Sequence, residues 1–184
     1  MTNIFVGNLS YQTSQDELHQ AFSQFGDQTD YLLVPGGTFE AGGTPWVLAA
    51  GAAVASGNES FLLNAKTDAA HLALPVGASA TSPSFCIASS TPTMRLVART
   101  PSASASLRVD LLVPDPKNPA TIYRLPLGKL TGSGVWAPSA VVNLWVSYLL
   151  PLLPGGMWTS QVVLTAETGD WDVDDVYLDP FKKL

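Results

Sequence analysis

The chain has 184 residues, of which 46% are apolar and 13% charged, with a formal net charge of −6. That length holds one ordinary domain plus an appendage, and the apolar fraction supplies a sizeable core, which excludes global disorder. The acidic balance counts against polyanions as general partners. Fifteen Gly and fourteen Pro, scattered between short apolar runs, favour strands and turns over long helices.

Charge is unevenly placed. The first cation is Lys66, whereas Glu167, Asp170, Asp172, Asp174, Asp175 and Asp179 crowd together near the other end. Such a carboxylate run is either solvated or holds a cation. The single cysteine, Cys86, excludes an intrachain disulfide, and its neighbours Phe85 and Ile87 predict a buried strand thiol. The start lacks the basic and apolar segments of a signal peptide, so none is expected. Localisation stays open. The most apolar run, Ala140–Leu153, is interrupted by Asn143, Ser147 and Pro151 and is shorter than the ~20 residues a membrane span needs.

In chain order, Ile4–Val6 reads as a short strand and Thr13 as a helix cap. Leu18, Ala21, Phe22 and Phe25 then recur at helical spacing up to Gly26. The sequence Ile4-Phe5-Val6-Gly7-Asn8-Leu9 resembles the second ribonucleoprotein motif of the RNA-recognition-motif family, and the helix is similar to that family's first helix. The resemblance covers about 26 residues and implies that Phe5 stacks on a base. The family's other aromatic motif and second helix are missing, and this segment holds no Lys or Arg to neutralise phosphates. The expectation is therefore a truncated leader, natural or fused, over residues 1–30 that does not fold alone. RNA binding through Phe5 is the minor alternative.

From Tyr31 onward apolar runs bounded by turn residues recur: 46–54, 71–74, 85–87, 94–98, 107–113, 122–127, 135–142, 161–166 and 171–178. This predicts an all-β sandwich over residues 31–184, carrying the strand–helix appendage at its N-terminal side. Met94, Leu96 and Ala98 alternate with Arg95, Val97 and Arg99, and Leu107, Val109 and Leu111 with Arg108 and Asp110. Each strand should bury the first set and solvate the second. Residues 143–153 fit either a short helix or an apolar loop.

Gly37-Thr38-Phe39-Glu40 with Trp46 at one end, and Trp171-Asp172-Val173-Asp174-Asp175-Val176 at the other, resemble the galactose-binding-like jelly rolls. These include carbohydrate-binding modules of bacterial glycoside hydrolases. The ending Asp174 to Phe181 is similar to that of secreted actinobacterial proteins. The resemblance spans about 32–181. It implies a jelly-roll β-sandwich with first and last strands adjacent, and a structural calcium held by Glu40, Asp174 and Asp175. Oxygen-rich donors of this kind suit a hard cation. The alternative is that Glu40 pairs with a base and the acids face water.

Such modules stack sugars on exposed aromatics. Trp46, Trp136, Trp145, Trp158, Trp171, Tyr123 and Tyr148 are available, although burial is the commoner fate of a strand Trp. Trp145 and Tyr148, in the irregular stretch, are the expected exposed pair, for a glycan or for self-association of a structural or adhesive surface domain. No catalytic constellation stands out. His19 reads as solvated and His71 as a strand opener, Ser79, Ser82 and Ser84 lack a nucleophile-elbow context, and the acids offer only arbitrary pairs. A binding module is expected rather than an enzyme.

Overall fold

The computed structural model describes residues 31–145 and 157–179, and these form two antiparallel sheets packed face to face. The predicted leader strand and helix, Tyr148 and most of the 143–153 stretch lie outside the described residues. Among the described residues no helix is long and apolar enough to cross a membrane.

The strands are β1 (Leu32–Leu33), β2 (Val47–Ala49), β3 (Ala53–Ser56), β4 (Ala70–Leu74), β5 (Ser79–Thr81), β6 (Phe85–Ala88), β7 (Thr93–Arg99), β8 (Ser106–Pro114), β9 (Ile122–Thr131), β10 (Ala137–Pro138), β11 (Val142–Asn143), β12 (Met157–Thr168) and β13 (Trp171–Asp179). One sheet runs β10-β7-β13-β4-β3, with β1 on β13 and β11 on β7. The other runs β2-β5-β12-β8-β9, with β6 on β12. The chain changes sheet repeatedly, because each apolar strand face needs the opposite sheet to cover it. The apolar run 46–54 is therefore not one strand. A turn at Ala50 and Gly51 sends β2 and β3 to different sheets.

The alternating residues do line the core. Met94, Leu96, Leu107, Val109, Leu111, Leu164, Trp171 and Val173 are at most 1% exposed. One end is plugged by the turn 34–46, where Phe39 and Trp46 pack ring on ring and Trp46 Nε1 donates to Pro35 O. Gly37 allows this turn to lie on β13, since a Cβ there would sit 2.9 Å from both Val34 O and Val176 O. β1 pairs with β13, Leu32 opposite Leu178, so the first and last described strands are adjacent.

Three expectations of burial or exposure fail, each for a local reason. Val97 is fully buried although it faces outward, because the 57–69 loop covers the outer face of its sheet and packs Leu63 and Phe61 with Tyr31, Val97 and Tyr177. Asp110 is buried on the outer face of the other sheet because Arg108 and Arg124 fold over it. Cys86 is exposed, because its inward-facing neighbours Phe85 and Ile87 take the core side of β6.

Candidate functional site

A pocket of about 340 Å³ opens beside the β8–β9 connection, between Val113, Asp115, Pro116, Lys117, Tyr123, Leu125 and Trp158. Its shape follows from strand register. Val113 faces Tyr123 and Leu111 faces Leu125 across the β8–β9 ladder. β9 is the edge strand, so its inward rings have no neighbour on one side, and Tyr123 remains 50% exposed. Trp158, at the start of β12 opposite Ile87, packs only partly on the core.

The connecting loop is firmly closed. Asp115 N–H donates to Thr121 O at 2.8 Å, Asp115 Oδ1 accepts Lys117 N–H at 2.8 Å, and Oδ2 accepts the Tyr123 hydroxyl at 2.9 Å. These bonds, the Lys117 amide first and the Tyr123 hydroxyl second, hold the Asp115 carboxyl below its ordinary range, and the same contact pushes the Tyr123 hydroxyl up. Asp115 is thus an anchor that fixes the Tyr123 ring. The result is a half-open apolar slot with two aromatic rings and a polar rim. That arrangement suits a flat ligand with an apolar face and a hydroxylated edge.

The second feature is a set of acids sealed under the 57–69 loop. Glu59, Asp174 and Asp175 are each no more than 2% exposed. Glu59 caps the loop, its oxygens accepting the Phe61 and Leu63 N–H groups, while its own N–H donates to Asp174 Oδ2. Asp174 Oδ1 accepts Asp175 N–H. Asp175 Oδ1 is buried without a hydrogen-bond partner. Burial pushes Asp174 up to about 7 against the hydrogen bonds it accepts from the Asp175 and Glu59 amides, and burial with the Asp174 and Glu59 charges pushes Asp175 up to about 9. Sequence alternation puts Asp174 and Asp175 on opposite faces. A β-bulge between Asp174 and Tyr177, with Asp175 at φ 48°, turns both into one buried cluster.

Glu40 does not join it. Its Oε1 accepts the N–H groups of Ala69 and Ala70 at 2.9 and 2.8 Å and so clamps the far end of the loop. Among the described residues no three His, Cys, Asp or Glu side chains converge in an arrangement that holds a metal. The Glu59 and Asp174 oxygens already accept backbone N–H groups, so the orphaned Asp175 oxygen fits a hard cation only if backbone carbonyls or water complete the shell. Trp145 is 44% exposed at φ 59°, its N–H donating to Asn143 Oδ1. Phe5 and Tyr148 lie outside the described residues. Sequence reasoning missed Glu59, although Glu followed by the apolar run Phe61-Leu62-Leu63 is a visible hint of a carboxylate capping a loop.

Several other charged groups are paired. His71 Nε2 lies 3.4 Å from Asp172 Oδ1, and its Nδ1 faces Gly57 O. Arg99 Nε meets Asp172 at 2.7 Å, and its guanidinium covers the Trp136 ring. Arg95 holds Asp179, Arg108 and Arg124 hold Asp110, and Lys129 holds Glu167.

A family model described as RNA recognition motif matches residues 4–42. Its last dozen residues overlap β1 and the plug turn of the sandwich. No curated protein matches in sequence. Among solved structures, the CBM22-1–GH10 modules of Clostridium thermocellum xylanase 10B complexed with xylohexaose align with a TM-score of 0.49 and 11% identity. The alignment covers 80% of this chain and 28% of that one. TmCBM61 in complex with β-1,4-galactotriose aligns at 0.41 and 18% identity, covering 82% and 97%. The C-terminal CBM6 of LamC from Zobellia galactanivorans aligns at 0.46 and 12% identity, covering 72% and 97%.

Proposed function

We propose that the sandwich is a non-catalytic carbohydrate-binding module whose pocket lies between Tyr123 and Trp158, and that a structural calcium ion neutralises the acids under the 57–69 loop. The observation carrying the first part is the aromatic pair itself. One ring is held half-exposed by Asp115, and the other lines the same pocket while packing partly on the core. Pyranose rings bury an apolar face on such surfaces and keep their hydroxyls at the wet rim. A volume of about 340 Å³ lies in the small-ligand range, which suits a short stretch of glycan rather than a crystalline polymer surface. For calcium, the support is the buried Asp175 oxygen without a partner beside Glu59. The ion would hold the loop to β13 and take no part in sugar chemistry.

A glycan array tests the reading. The intact protein should retain at least one glycan, and Tyr123→Ala and Trp158→Ala should each weaken it about tenfold, the scale of one aromatic contact. Tyr123→Ala is the safer of the two, since Tyr123 is half-exposed and Trp158 touches the core. A blank array, or full retention by both variants, overturns it.

A further inference from the structure

Among the described cations, Arg95, Arg99, Arg108, Arg124 and Lys129 each hold a carboxylate within 3.2 Å. Lys117 holds none among the described residues, and it stands in the wall of the aromatic pocket. The other charged group of that wall is Asp115, whose two oxygens already accept the Lys117 amide and the Tyr123 hydroxyl. That carboxylate keeps its charge and the Lys117 ammonium helps to hold it ionised, but no ion pair within 4 Å joins the two, so the ammonium keeps its donors for a ligand. In a chain of net charge −6, a lysine with no close ion pair among the described residues, lining the same pocket as two aromatic rings, is a selective feature.

Resting on the reading of this pocket as a carbohydrate site, we infer that it is built for an acidic sugar, a uronate, whose ring stacks on Tyr123 and Trp158 while its carboxylate pairs with Lys117. A lysine meets such a group as a mobile point charge, so the pairing tolerates several uronate stereochemistries. It weakens with salt because it is exposed.

Affinity gels containing polygalacturonate, alginate, glucuronoxylan or hyaluronan, each also after chemical reduction of its carboxyl groups to alcohols, test this on the full chain. At least one native acidic polymer should retard the protein, and carboxyl reduction should weaken retardation about fivefold, the upper range for an exposed ion pair. Lys117→Met should cause the same loss without altering the melting temperature, and Lys117→Arg should restore it. Equal binding of native and reduced polymers, or an unchanged preference in Lys117→Met, refutes the uronate assignment while leaving the carbohydrate reading standing. No retardation by any polymer of either kind refutes both.

Discussion

Replacing Asp175 by Asn should raise stability in chelator and abolish the response to calcium, two effects of opposite sign from one substitution. Without a cation, burial holds the Asp175 carboxyl at about 9 and Asp174 at about 7, against 3.8 for a free aspartate. A group whose folded pKa is raised favours folding fully only below its unfolded value. The chelated protein should therefore lose stability as pH climbs from about 4 toward 9. At about 1.4 kcal/mol per pH unit, the loss from Asp175 alone approaches about 6 kcal/mol by pH 8. Asn mimics the protonated acid and escapes that loss. Desolvating its amide takes back part of the gain, which leaves on the order of 3 kcal/mol, or about 6–12 °C in a domain of this size. Calcium at a hundredfold excess over its dissociation constant should stabilise the wild type by about 2.7 kcal/mol. Magnesium should do so poorly, because it demands tighter octahedral geometry. Thermal melts in chelator, calcium and magnesium across this pH range measure all of these. Identical wild-type curves in chelator and millimolar calcium would remove the ion. A variant less stable than wild type in chelator at pH 8 would refute the account of the buried carboxyl.

Three further outcomes are expected. Gly132→Ala should lower stability by about 1–3 kcal/mol, because its Cβ would lie 2.5 Å from Thr100 Cγ2 and 2.8 Å from the Trp171 ring; denaturant unfolding reads this directly. His71 is pushed up chiefly by its hydrogen bond to Asp172, so its charged form favours folding below the ordinary histidine range, and that contribution fades as pH rises through the folded value. An NMR titration should place its midpoint above that of a free histidine, and Asp172→Asn should bring it down. Deleting residues 1–30 should shift the melting temperature by no more than a few degrees, since the strand pattern of the sandwich begins only at Tyr31; a drop of many degrees would make the leader part of the fold.

The sandwich was legible because each strand needs its own buried face. Met94, Leu96 and Ala98, or Leu107, Val109 and Leu111, state that face in a period of two. What could not be read was anything set by a third layer. Val97 looks solvated until the 57–69 loop is laid over it, and Asp110 looks like a surface acid until two arginines fold across it. A bulge also defeats alternation, which puts Asp174 and Asp175 on opposite faces, whereas the folded chain gathers both into one buried cluster. For the pocket, Tyr123 and Trp158 stood among the aromatics, but the choice between them and Trp145 depended on β9 being an edge. Edge position is a property of sheet order and leaves little trace in a single strand.

The pairing of β1 with β13 bears on how the module behaves under load. Leu32 lies opposite Leu178 in an antiparallel ladder only two residues long, so the chain enters and leaves the described domain at the same end. A pull applied through both flanking segments would open that ladder one bond at a time, like a zipper, rather than shearing it along its length. β1 should therefore peel away at low force and carry Tyr31 out of its packing against Tyr177, while β7, β13 and β4 remain zipped together behind it. A domain tethered on both sides would yield first by a short, reversible extension, a compliance that absorbs a tug before the core or the pocket on the β8–β9 side feels it.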